Sequence, residues 1–167
     1  MKKIFTAILP LIVLMFFSTT SFAQTLPDFD LIKLDKVSDF KNAAPFALQT
    51  ANYLLTTPFQ KTNEHRVKAL EFLFKWMSGT PDQSYDFDYA RNVVSKGNND
   101  ILGVYMAAMV KYAVENKEAA KDPKMVKLNS IIILLNYCEK KENNVKMNKQ
   151  LKAFAEAKAK GELEQAL

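Results

Sequence analysis

FLFKWMSGTPDQSYDFDY, residues Phe72 to Tyr89, joins the second half of an amphipathic helix to a stop and then to an aromatic, acidic loop. Val67, Leu70, Phe74 and Met77 recur at helical spacing, Leu73 and Trp76 widen the stripe, and Arg66, Lys68, Glu71, Lys75 and Ser78 take the other face. Such a pattern buries one side of a helix. Gly79 supplies the left-handed residue that closes a helix, and Pro81 has no backbone donor with which to continue it. The helix is therefore expected to end near Ser78, and the remaining helices to pack around this corner.

Upstream of the domain, Lys2 and Lys3 precede an apolar run from Ile4 to Phe17, and Ser21-Phe22-Ala23 places small residues where signal peptidase needs them. The run is short for a membrane span and is interrupted by Pro10, which favours a cleaved signal peptide (1–23) over an anchor. The expected location is periplasmic or secreted, with the membrane involved only before cleavage. Removing 23 of 167 residues leaves 144, enough for one domain with a real core. The formal charge of +5 falls to +3 once Lys2 and Lys3 are gone. The remaining bases are interspersed with acids rather than gathered on one surface, which argues against a nucleic-acid partner. With a single cysteine, Cys138, no intramolecular disulfide can form, so packing must supply the stability.

Residues 24–41 carry Pro27, four aspartates and scattered apolar side chains without a sustained period, and read as an extended arm lying on the body. A single helical domain over 42–167 follows. Its first helix, about Asn42 to Thr56, tolerates Pro45 in its first turn and buries Ala44, Ala47, Leu48, Ala51, Leu54 and Leu55. The second, described above, takes Thr62 as its cap. Asp86 or Asp88 caps a short third helix that Gly97 ends, and Asn98 or Asn99 caps the fourth, about Asp100 to Asn116. That fourth helix is apolar nearly all round and is the expected centre of the core. Asp122-Pro123 starts a fifth, which carries Met125, Leu128, Ile131, Ile132, Leu135 and Cys138 and packs antiparallel to the fourth. A last helix from about Val145 buries Met147, Leu151 and Phe154 before a fraying tail rich in Ala, Lys and Glu. The helix starts are unevenly spaced and show no repeat near 34 residues, so the expected fold is all-α, an irregular bundle of about five to six helices rather than a repeat stack.

Chemistry-bearing motifs are sparse. His65 is the sole histidine and is expected in a solvated first turn, because the neighbours at ligand spacing are unsuitable for metal. Cys138 lies on an apolar stripe and reads as a buried, inert thiol. Asp82, Asp86 and Asp88 suggest calcium, but an EF-hand loop counted from Asp82 would need glycine and glutamate where Phe87 and Val93 stand. There is no GxSxG, no phosphate-cradling glycine loop and no HExxH. No catalytic group, metal or cofactor is therefore expected. Met106, Met109 and Met125, with Phe72, Phe74, Trp76 and Tyr105, read as core.

The loop is the best candidate for function. Tyr85, Phe87 and Tyr89 alternate with aspartates, and together with Asp82 they make the expected binding residues for a protein or peptide partner. The expected division is Phe87 packed inward with Tyr85 and Tyr89 exposed, because tyrosine hydroxyls tolerate water. A competing reading is a small enzyme or apolar-ligand carrier with a pocket between the second and fourth helices, using Asp82 or Glu71 as an acid. YLLTTP at Tyr53 to Pro58, WMSGTPD at Trp76 to Asp82 and KGNNDILGVYMAAM at Lys96 to Met109 resemble segments of a group of uncharacterised exported helical proteins of bacteria. The resemblance covers about the central half of the mature chain. It implies an exported all-helical domain and transfers no site residues.

The processed protein is expected to begin at Gln24. Intact-mass measurement on envelope or secreted material checks this, and Met1 retained there would refute it.

Overall fold

The computed structural model describes residues 26–60 and 62–167. The expected signal peptide and its cleavage site lie outside these residues. Among the described residues there are seven α-helices and no strand: α1 Val37–Asn42, α2 Ala44–Thr56, α3 Glu64–Gly79, α4 Phe87–Tyr89, α5 Asn99–Glu115, α6 Pro123–Cys138 and α7 Lys149–Lys160. The fold is thus the all-α bundle expected. One helix more than expected is present because the arm contains α1, besides a single 3₁₀ turn at Phe29–Leu31. Asp39 makes α1 possible: its carboxylate accepts from the backbone N–H groups of Lys36 at 3.0 Å and Asp35 at 3.1 Å, a local nucleus that apolar periodicity does not register. These two hydrogen bonds also hold the Asp39 carboxyl below its ordinary pKa.

The core is organised around α5. Eleven of its residues are buried, including Ile101, Val104, Tyr105 and Val110, and it packs against α2 on one side and α6 on another. Small residues permit the approach. A Cβ added at Gly103 would stand 2.9 Å from a Leu70 methyl, so α3 and α5 are close at that point. Asn98 starts α5 by accepting from the N–H groups of Asp100 (2.9 Å) and Ile101 (3.4 Å). Asp122 caps α6 ahead of Pro123, with its side chain accepting from Lys124 N at 2.9 Å.

α3 is rotated relative to the expected stripe. Its buried residues are Arg66, Ala69, Phe72, Leu73, Trp76 and Met77, whereas Val67 and Phe74 are 48% and 53% exposed. Its cap is Asn63, whose side chain accepts from Arg66 N at 3.1 Å, and not Thr62. The rotation follows from two contacts that helical spacing does not encode. The arm lays Phe29 on Phe72, with ring centroids 4.8 Å apart. Arg66 Nη1 then donates to the carbonyl and hydroxyl of Thr57, at 3.3 and 3.1 Å, and its guanidinium lies over the Phe59 ring.

The end of α3 also differs in cause. Gly79 is its last residue and is not left-handed; the chain leaves through Thr80 in extended conformation. Glycine is needed there because the Phe40 ring occupies the side-chain space, and a Cβ at residue 79 would fall 2.1 Å from a ring carbon. On α6 the expected Met125 is 38% exposed, while Ser130, Leu134 and Tyr137 are buried. Beyond α7 the chain makes further contacts. Gly161, left-handed at φ 75°, closes α7 with Glu162 N donating to Ala157 O at 2.9 Å, and the chain turns back to bury Leu163.

Gly79→Ala should destabilise the fold by about 1–3 kcal/mol through overpacking against the Phe40 ring, not through a lost left-handed turn. Repeating it on Phe40→Ala should remove most of the added penalty in denaturant titrations. A full, additive penalty there would refute this origin.

Candidate functional site

Pro81 turns the chain away from α3, and the segment that follows restarts a helix at Asp86, whose carboxylate accepts from Tyr89 N at 2.8 Å. α4 runs on into a single π-helical segment, Ala90–Ser95, which ends with Lys96 and Gly97 both left-handed. The alternating aromatics therefore straddle a helix start, and their side chains diverge.

Tyr85 goes inward. It is 8% exposed, with its ring 6.5 Å from the rings of both Trp76 and Phe87. This corrects the expectation that Tyr85 is exposed: as the last residue before the cap, it lies over the end of α3, where the Trp76 indole offers a face. Trp76 itself is 3% exposed and donates from Nε1 to Phe40 O at 2.8 Å. Phe87 is half-buried, between Tyr85 and the exposed ring of Phe74, which it meets edge-on at 5.4 Å. The four rings form a continuous series from the core to the surface: Trp76, Tyr85, Phe87, Phe74. Sequence reading missed Phe74 as a surface residue, having assigned it to the buried stripe. With α3 turned, Val67 and Phe74, seven residues apart, share its outer face.

Tyr89 is half-buried and points to a different neighbourhood. Lys127 of α6 holds its ammonium 4.0 Å from the Tyr89 ring centroid. Tyr85, Tyr89, Tyr105, Met109, Lys124 and Lys127 are among the residues lining a cavity of about 130 Å³ between the loop, α5 and α6. The hydroxyl oxygens of Tyr85 and Tyr89 are buried and have no hydrogen-bond partner among the described residues. Burial drives the ionisation of Tyr85 and Tyr105 well above the ordinary phenol range, and burial with the nearby Asp86 charge raises Tyr89. All three are therefore protonated at neutral pH.

The remaining candidates are less provided for. Asp82 is exposed and stands 3.7 Å from Lys41 Nζ, itself exposed, an arrangement worth little. Glu71 is exposed on α3. His65 is exposed, and no group of three or more His, Cys, Asp or Glu side chains among the described residues is placed to hold a metal. Cys138 is buried, and burial followed by the Glu139 charge pushes its thiol up to about 12, so it carries no thiolate at neutral pH. No family model, curated protein or solved structure matches the chain.

Tyr85→Ser should cost about 3–5 kcal/mol, in the range of large aromatic deletions from a core. Phe87→Ser should cost less than about 2 kcal/mol, because part of that ring is already in water. Thermal and denaturant melts on the two variants check the order, and a larger loss for Phe87→Ser would reverse the assignment.

Proposed function

We propose that this is an exported, non-enzymatic helical protein that binds a protein or peptide through the aromatic face of α3 and the following loop. The observation that carries the reading is the ring series ending in Phe74: a large aromatic side chain 53% exposed, braced edge-on by Phe87, which in turn rests on buried Tyr85. Aromatic side chains, phenylalanine included, are enriched in the buried centres of protein interfaces, which is why this ring marks the face. Val67, 48% exposed one face-length along the same helix, extends the apolar strip, and Asp82 lies beyond its far end.

Export rests on the basic start, the apolar run and the Ser21-Phe22-Ala23 site. No helix among the described residues is long and apolar enough to cross a membrane. The resemblance of the YLLTTP, WMSGTPD and KGNNDILGVYMAAM segments to exported helical proteins points the same way.

A photo-crosslinking residue placed at Phe74 should trap a discrete partner in the exporting compartment, while the same residue at exposed Lys152 on α7 should not. The double variant Phe74→Ser, Phe87→Ser should weaken that association at least about tenfold, as loss of an interface anchor does. Equal trapping at both positions, or none at Phe74, would overturn the reading.

A further inference from the structure

The strip of α3 that carries Phe74 also carries an ordered set of charges, and their order limits what can cover it. Glu64, Val67, Lys68, Glu71, Phe74 and Lys75 are all exposed, at spacings of three and four that keep them on one side of the helix. Val67 and Phe74 form the apolar line. The four charges run along one flank of it in the order acid, base, acid, base. Glutamate four residues before lysine can steady a helix locally, but neither Glu64 with Lys68 nor Glu71 with Lys75 closes to an ion pair here. All four charges are without an ion-pair partner among the described residues and stand available to an opposing surface.

That order is its own complement when reversed. A second α3 laid antiparallel on the first, about a twofold axis passing between them at the level of Leu70, brings Val67 of each copy within one residue of Phe74 of the other, about 1.5 Å along the helix. The same register brings Glu64 within one residue of the other copy's Lys75, and Lys68 within one residue of its Glu71. For each of the four charges, the nearest of the set on the facing helix is then opposite in sign. Two such helices in parallel would set each charge against its own kind, which opposes association. The antiparallel contact uses the same patch on both copies, so it closes at two. Half-buried Leu70, beside the axis, adds apolar surface at the centre, where interfaces concentrate it.

We propose that the partner of the α3 face is a second copy of this chain, docked antiparallel through Val67 and Phe74 and held in register by Glu64 with Lys75 and Lys68 with Glu71. This rests on the reading of that face as a protein-binding surface and names what it binds.

The test begins with sedimentation velocity on the purified protein, over a concentration series reaching about 1 mM, where even an interface of the smallest class associates. A monomer–dimer equilibrium is expected. Phe74→Ser alters an exposed ring, so it should fold, and it should weaken the dimer at least about tenfold, as loss of an interface anchor does. Lys68→Glu should weaken the dimer as well, and adding Glu71→Lys should restore it, because the exchanged charges meet again across the axis. Glu71→Cys, one residue from the axis, should cross-link to its counterpart with a short bifunctional maleimide, whereas Glu64→Cys, about 18 Å along the helix from its own, should not. The parent's one cysteine is buried and serves as the blank. A monomer across the series, a dimer that Phe74→Ser leaves unchanged, or cross-linking as efficient at Glu64→Cys as at Glu71→Cys would each overturn the proposal. If the purified protein stays monomeric while a photo-crosslinker at Phe74 still traps one foreign protein, self-association falls and the partner-binding reading stands. No dimer and nothing trapped removes both.

Discussion

The ring of Phe40 lies where any side chain at residue 79 would have to stand, and much of the molecule depends on that contact. It brings the arm to the end of α3 and leaves the Phe40 carbonyl 2.8 Å from the indole nitrogen of Trp76, which donates to it. The buried indole is thereby satisfied and held at one orientation. Tyr85 rests against Trp76, Phe87 against Tyr85, and Phe74 against Phe87, so the orientation of one core tryptophan is passed outward, ring by ring, to the surface. The candidate binding face is thus in ring-to-ring contact with the core beneath it.

A second junction lies at the other end of α3. Arg66 is 2% exposed, and its hydrogen bonds go to the carbonyl and hydroxyl of Thr57. The same Thr57 carbonyl accepts from Tyr137 of α6 at 2.7 Å, and Asn143 donates to the Tyr137 carbonyl at 2.8 Å. Burial pulls the Arg66 pKa down, although a guanidinium remains charged under any physiological condition. A buried cation served by neutral acceptors and the Phe59 face gains less than one paired with carboxylate, so its value here lies in joining three chain segments in one geometry. Tyr137 responds in kind: burial raises its pKa, and Arg66 opposes the rise.

The loop after α3 shows why a candidate site is harder to read than a fold. Alternation of Tyr85, Phe87 and Tyr89 was visible, as was a cap at Asp86 or Asp88, yet alternation says which side chains differ in direction only where the backbone is regular. Here the cap falls between the first and second aromatic, so Tyr85 faces the end of α3 and Tyr89 faces α6. Phe74 had no surface signature at all. The cavity beside Tyr89 draws residues from the loop, α5 and α6, which are far apart in sequence.

Local chemistry in the sequence was enough for the all-helical class, for a start at Asn98 or its neighbour Asn99, of which Asn98 is the cap, for the Asp122 start, for Gly97 as a left-handed stop, and for α5 as the buried centre. Each of these is decided within a few residues, by a side chain satisfying its own backbone or by apolar residues on every face. Tertiary structure alone decided which face of α3 is buried, why residue 79 is glycine, and where Tyr85 points. The physical reason is the same in all three. A stripe six residues wide leaves the helix free to turn by a side chain's width, and the contacts that fix it come from the arm, through Phe29 and Phe40, at a sequence distance over which no period extends.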